Sequence, residues 1–270
     1  MHTVIAHTSC GASGCSAPSG DSVQAAIAIH IQPMVAACTT CAVNGLCLPL
    51  GFSKDETARL DTLISQRVKV KKGAALFHAG EPLQHLYAVR LGSFKTHLVS
   101  PDGRGLVTGF LMSGDILGLD AISTDRHACS AVALEDSEVC PISFSRLERL
   151  AGEFPSLQHN LNRMLSREIV RDHEMLMIMG CRNADERVAA FLVGLSQRFV
   201  RRGYSAHGYL LRMSREDIAS YLGLRLETVC RSLARFRDMG LIIYQGRVME
   251  ILDLPALQAQ VQYGGKQALI

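Results

Sequence analysis

The 270-residue sequence predicts an α+β chain: an N-terminal jelly-roll β-barrel sensor domain, a long dimerisation helix, and a C-terminal winged helix-turn-helix domain. Three observations carry this. From Val68 to about Ile142, short segments rich in Val, Leu, Phe and Tyr are punctuated by Gly73, Gly80, Gly92, Gly103, Gly114 and Gly118, the pattern of many short strands with evenly spaced turns. Helical periodicity then runs from near Pro155-Ser156 to about Met179. Between Ser214 and Gly240, two short helical runs flank Gly223, which permits the sharp turn a helix-turn-helix needs. The length is ample for more than one core.

Taken in order, residues 1–30 are rich in Ser, Gly and Ala, and read as a disordered leader in which Cys10 and Cys15 are spare thiols. The segment 31–155 holds a cysteine-rich loop and the barrel. Between them Ser53-Lys54-Asp55-Glu56 is a capping box, opening a short helix with Leu60, Leu63 and Ile64 on its apolar side. Pro101-Asp102-Gly103 is a hairpin turn between strands Ser93–Val99 and Leu106–Leu111.

Residues 156–181 form the long helix. Along it Leu165, Ile169, Asp172, Leu176 and Met179 recur at spacings of four and three, a coiled-coil seam and so a homodimer interface. Asp172, facing its symmetry mate, sets two carboxylates against each other at a cost of about a kcal/mol or more, so the pairing is marginal and switch-like. The segment 182–270 begins with a helix from Ala184 to about Arg202. Ser214 and Asp217 then form a second capping box; the helix it opens ends at Gly223, and a further helix spans Arg225 to Met239. Leu241–Tyr244, Gln245-Gly246 and Arg247–Leu252 make a hairpin wing.

Chemistry concentrates in Cys38-Thr39-Thr40-Cys41-Ala42-Val43-Asn44-Gly45-Leu46-Cys47, three thiols spaced C-x2-C-x5-C. Such a loop can turn all three toward one centre. Thiolates suit an iron–sulfur cluster or a structural zinc, and either usually takes four ligands, so one comes from elsewhere. A disulfide reading is weaker: the cluster is odd in number and nothing marks the chain as secreted.

The net charge of +3 is modest but unevenly spread. Residues 181–270 hold thirteen Lys and Arg against eight Asp and Glu, whereas residues 1–180 carry a slight acidic excess. A basic C-terminal third fits a polyanion-binding module. No apolar run is long enough to span a bilayer and the start lacks a signal peptide's pattern, so the chain is expected in the cytoplasm, away from membrane.

On the second helix of the basic module, Leu226, Val229, Leu233 and Phe236 face inward, while Glu227, Cys230, Arg231 and Arg235 face out. Glu227 can accept from a cytosine amino group and Arg231 can donate twice to a guanine edge of double-stranded DNA. Arg225 stands at the start of the same helix; Arg212, Arg215, Arg235, Arg237 and Arg247 suit phosphates.

Barrel, long helix and winged helix-turn-helix, in that order, resemble the cyclic-AMP receptor protein superfamily. Four stretches narrow the resemblance to its FNR branch of oxygen-sensing fumarate and nitrate reduction regulators. They are Cys38-x2-Cys41-x5-Cys47 with Leu48-Pro49; Leu134-Glu135-Asp136-Ser137-Glu138-Val139-Cys140; Arg182-Asn183-Ala184-Asp185-Glu186-Arg187 with Ala189-Ala190-Phe191; and Tyr221-Leu222-Gly223-Leu224 with Glu227-Thr228-Val229. The resemblance covers about residues 35–255. It implies Cys140, rather than Cys129, as fourth ligand, so that Cys38, Cys41, Cys47 and Cys140 hold a [4Fe–4S] cluster shielded by Leu46. It also implies that oxygen converts the cluster to a smaller one and weakens the dimer, that half-sites read like TTGAT in an inverted repeat, and that RNA polymerase is contacted in activation, with the hairpin around Pro101–Gly105 a candidate surface. Cys129, Cys181 and Cys230 are then packed or spare thiols. One departure stands out: the family's Glu-x-x-Ser-Arg reads Glu227-Thr228-Val229-Cys230-Arg231 here. A thiol donates more weakly than a hydroxyl, so discrimination at the base it serves relaxes.

Two alternatives share the fold: a cyclic-nucleotide sensor and a zinc-stabilised constitutive regulator. The first needs an Arg-Ser pair in its phosphate pocket, and the matching place reads Ala128-Cys129-Ser130, without the arginine. An iron–sulfur enzyme is disfavoured, because four cysteines leave no open iron and no nucleophile-and-base constellation is evident.

Overall fold

The computed structural model describes residues 30–32, 38–43, 45–48, 52–64, 67–99, 103, 105–180 and 183–261. Residues 1–29 of the expected leader (with Cys10 and Cys15), Cys181 and the Pro101-Asp102 turn lie outside them, while His30, placed in the leader, begins a strand.

Ser53 caps α1 (Lys54–Asp61) through the reciprocal capping box with Glu56. Leu63 and Ile64 fall just beyond its end and are buried there all the same. The barrel comprises β2 (Arg67–Val70), β3 (Ala75–Phe77), β4 (His85–Leu91), β5 (Ser93–Val99), β6 (Gly105–Met112), β7 (Ile116–Leu117), β8 (Ser130–Ala133) and β9 (Ser137–Ser143), with β1 (His30–Gln32) at one edge. They form two antiparallel sheets, ordered β1-β2-β9-β4-β7 and β3-β8-β5-β6. Val70, Phe77, Val89, Phe94, Leu111, Leu117 and Val139 fill the space between the sheets. The predicted jelly-roll architecture is what forms.

A helix not foreseen from the sequence, α2 (Phe144–Glu153), leads into α3 (Pro155–Met179). Pro155 starts α3 where its missing N–H costs nothing. Leu48 from the cysteine loop, Leu60 from α1, Leu147 and Ala151 from α2, and Leu157 from α3 share a core with Leu86 and Ile142 of the first sheet. That packing seats the cysteine loop between the barrel and the start of the long helix.

The C-terminal part contains α4 (Ala184–Val200), β10 (Gly208–Leu210), α5 (Arg215–Leu222), α6 (Leu226–Asp238), β11 (Ile242–Gln245), β12 (Val248–Ile251) and α7 (Leu254–Ala259). Asn183 caps α4 and Ser214 with Asp217 caps α5, as their side chains predict for Ser214. Gly223 takes φ 61 between α5 and α6. The wing is a three-stranded sheet, β10-β12-β11, rather than a bare hairpin, and its turn falls on Gly246-Arg247, one residue later than expected. Phe110 of β6 packs against Phe191 of α4 and Tyr221 of α5, so the barrel and the winged module share one apolar seam.

Candidate functional site

Cys38 opens a 3₁₀ turn, and its backbone N–H donates to the carboxylate of Asp61 at the end of α1. The chain then folds over itself: Cys41 N–H donates to Cys38 O at 3.1 Å, and Leu46 and Cys47 N–H both donate to Val43 O at 3.0 Å. Asn160 of α3, buried, donates through Nδ2 to Leu48 O at 3.3 Å and so ties the loop's end to the long helix. These ties bring Cys38, Cys41 and Cys47 to one side of β4 and β9, where Cys140 stands opposite Ala88 in the ladder. Cys38, Cys41, Cys47 and Cys140 all line one open cleft, walled otherwise by Val43, Ile64, Ala88, Val89 and Arg90. Cys129 sits elsewhere, in the core between the sheets, with its thiol donating to Asp120 at 3.4 Å.

Leu46, expected over the cysteines, does not line the cleft; Val43 does. The reversal at Val43 turns Leu46 outward onto the β6–β7 turn, where a Cβ on Gly114 would lie 2.6 Å from that of Leu46. Gly114 adopts φ +92 there, which side chains resist.

Burial raises the thiol of Cys38, and Asp61, Cys47 and Cys140 add to it. Burial pushes Cys47 up to about 12 and Cys140 up to about 11, each with a contribution from neighbouring cysteines. The raised thiols of Cys38, Cys47 and Cys140 are protonated at neutral pH, so a thiophilic metal centre entering the cleft must displace protons. Arg90 and Arg67 supply positive charge beside Cys140; Glu138 holds them at 2.9 and 3.6 Å respectively. The donor set fits a thiolate-ligated cluster. Among the described residues no three His, Cys, Asp or Glu side chains are grouped to hold a metal ion.

A second polar group, marked by no sequence motif, lies on the far side of the same turn. Asp115 accepts from Arg198 at 2.9 Å, Arg202 at 2.9 Å and Arg171 at 3.2 Å, and from Met112 N–H at 2.8 Å. Burial alone raises its carboxyl, but the three guanidinia outweigh that and hold it down at about 2. The arginines come from α3, α4 and the residues just after α4, 56 to 87 positions away in sequence, so no local pattern marks the group.

On α6, Val229, Leu233 and Phe236 are buried, with Leu226 partly so, while Arg225, Glu227 and Arg231 are exposed, as required for groove contact. Several other arginines are already engaged. Arg215 donates to Cys230 Sγ at 3.8 Å and lies over the Tyr244 ring at 4.7 Å. Arg235 pairs with Asp185 at the start of α4, Arg237 with Asp238, and Arg212 with Glu135. Exposed pairs of this kind are worth little, so exchange for a phosphate costs little.

Along α3, Ile169 and Leu176 are 55% and 68% exposed, Asp172 is exposed and Leu165 is half-buried. Met179 leaves this line: its methyl group lies 2.9 Å from where a Cβ of Gly223 would be. The helix end runs beneath the α5–α6 turn, so the last position of the spacing pattern packs within the chain. Among the described residues no helix is long and apolar enough to cross a membrane.

Residues 67–153 match the family described as the cyclic nucleotide-binding domain, and residues 186–260 the Crp-like helix-turn-helix domain. The transcriptional regulatory protein btr of Bordetella pertussis is 44% identical over 85% of this chain and 95% of its own length. The fumarate and nitrate reduction regulatory protein of Escherichia coli is 40% identical over 82% of this chain and 88% of its own. The solved structure of FixK2 from Bradyrhizobium japonicum superposes with a TM-score of 0.68 at 29% identity, covering 74% of this chain and 98% of that one.

Proposed function

This chain belongs to the FNR-type transcription regulators of the cyclic-AMP receptor protein superfamily, and from that premise we propose that it is an oxygen-responsive regulator built on a [4Fe–4S] cluster. It is a DNA-binding regulator and not an enzyme. The observation that carries the finer reading is the meeting of Cys38, Cys41, Cys47 and Cys140 around one cleft, on two segments about a hundred residues apart. A cluster held there supplies oxygen-labile chemistry, with all four positions cysteine.

The chain's own residues do the rest. Asp61 and Asn160 hold the two ends of the loop, so whether the loop is ordered against α1 and α3 depends on what its thiols bind. Ile169, Leu176 and Asp172 give α3 an exposed face that pairs only marginally, because the two Asp172 carboxylates oppose it. Paired protomers present two α6 helices to successive major-groove faces of an inverted repeat of TTGAT type. Glu227 and Arg231 read bases and the wing side follows the backbone. Regulation is chiefly activation through RNA polymerase, in the cytoplasm.

The cyclic-nucleotide alternative meets a specific obstacle. The N–H groups of Ala128 and Cys129 are taken by the Asp120 carboxylate at 2.8 and 3.2 Å, so an incoming phosphate faces a negative charge as well as the missing arginine. The zinc alternative is separated by preparation without air. Protein carrying iron and acid-labile sulfide, brown, dimeric and bound to the inverted repeat, with pairing and DNA binding lost on exposure to air, supports the proposal. A colourless zinc protein that binds DNA equally well in air refutes it.

A further inference from the structure

We propose that Asp115 is a positioning residue that couples the cysteine cleft to both the long helix and the winged module, so that its carboxylate carries the state of the cleft to the pairing and DNA-binding surfaces. The inference rests on the cluster reading above and goes beyond it by naming the coupling element.

Contact begins in the cysteine loop. Leu46, beside Cys47, abuts Gly114, and Gly114 has no side chain with which to hold the loop away. The turn is also pinned to the cleft wall: Gly114 N–H donates to Val89 O at 2.8 Å, and Val89 N–H donates to Asp115 O at 2.9 Å. Val89 and its neighbours Ala88 and Arg90 line the cleft itself. Displacement of the loop therefore moves the turn that carries Asp115, by two routes.

From Asp115 the ties diverge. Arg171 lies on α3, adjacent in sequence to Asp172, and is also held by Glu168 at 2.9 Å. Arg198 lies on α4, which opens the winged module, and Arg202 stands just past its end; both also donate to carbonyls of the barrel, Arg198 to Phe110 O at 2.6 Å and Arg202 to Ser113 O at 2.8 Å. Among the described residues, the carboxylates paired with these arginines are Asp115, which meets all three, and Glu168, which meets Arg171. If Asp115 shifts, the three arginines repel one another and both helices lose their common anchor. An arrangement that served barrel stability alone would not need to draw its arginines from the long helix and from the start of the winged module.

The test uses full-length protein prepared without air and its air-exposed form, with iron, visible absorbance, dimer fraction by sedimentation, and affinity for a TTGAT-type inverted-repeat duplex measured on each. Asp115→Asn is expected to load as much iron as the unaltered protein while the ratio of affinities between the loaded and air-exposed forms falls at least tenfold, the loaded variant pairing no better than the air-exposed one. Arg171→Gln, which leaves Asp115 balanced by Arg198 and Arg202, guards against misfolding of the first variant. It should uncouple pairing from iron loading in the same way. Unaltered ratios in iron-loaded variants overturn the coupling role and leave the cluster reading intact, as does loss of iron in parallel with affinity. Absence of iron from the unaltered protein overturns both.

Discussion

Replacing Gly114 with alanine tests the contact on which communication from the cysteine loop depends. Two costs are separable. The backbone at φ +92 disfavours any L side chain by about 1–2 kcal/mol. The new Cβ would stand 2.6 Å from Leu46 Cβ, inside any real contact, and forcing the loop and turn apart costs a further ~1–3 kcal/mol. The sum, about 2–5 kcal/mol, is a large part of the roughly 5–15 kcal/mol that holds a domain folded. The thermal midpoint of the barrel should fall by roughly 5–15 °C. Leu46→Gly removes the clashing Cβ but not the backbone strain, so the double variant should recover only the steric part. The cycle of four proteins, followed by thermal unfolding, should give a coupling of about 1–3 kcal/mol. A coupling within about 0.5 kcal/mol of zero would show that Leu46 and the turn are independent, and the reasoning would fail.

Other substitutions address separate links. Asp115, held near 2 against an ordinary value of about 3.9, contributes stability that is complete above about pH 4 and lost as pH falls through 2, so Asp115→Asn should flatten the acid limb of a stability–pH profile in that window and leave neutral slopes unchanged. Asn160→Leu removes the side-chain bond to Leu48 O and leaves that buried carbonyl short of a donor, at a cost of about 1–3 kcal/mol in denaturant titration. Iron retention should fall with it. Cys230→Ser restores a hydroxyl on the exposed face of α6, and binding across all four variants of the base it meets should sharpen by roughly three- to tenfold, the worth of one neutral hydrogen bond. An unchanged preference would place Cys230 outside base recognition, as a partner of Arg215 only.

Much of the fold was legible because its signals are local. Ser53 with Glu56 and Ser214 with Asp217 sit three residues apart, and each pair forms the box its spacing predicts. Pro155 and the apolar period fix α3 to within a residue, and Gly223 marks the helix-turn-helix bend by its own backbone freedom. Elements without a strong local signal, such as β10 and α7, were missed; β10 is an edge strand of three residues whose existence depends on pairing with β12.

The site divides the same way. Chain spacing alone determined that Cys38, Cys41 and Cys47 share a loop, and the face of α6 that carries Glu227 and Arg231 followed from helical period. Which distant cysteine lies beside the loop could not follow from spacing, since Cys129 and Cys140 are only eleven positions apart, the first just before β8 and the second in β9. Sheet topology decides it: β9 runs beside β4 at the cleft, while Cys129 turns into the core between the sheets. The contacts of Leu46 with Gly114 and of Met179 with Gly223 were not legible for one reason, that a period predicts which way a side chain leaves the backbone but not what another segment has brought there. The arginines around Asp115 are the extreme case. Burial of that carboxylate is tolerable only when three elements converge to neutralise it, and convergence is a property of the packed chain, written nowhere along its length.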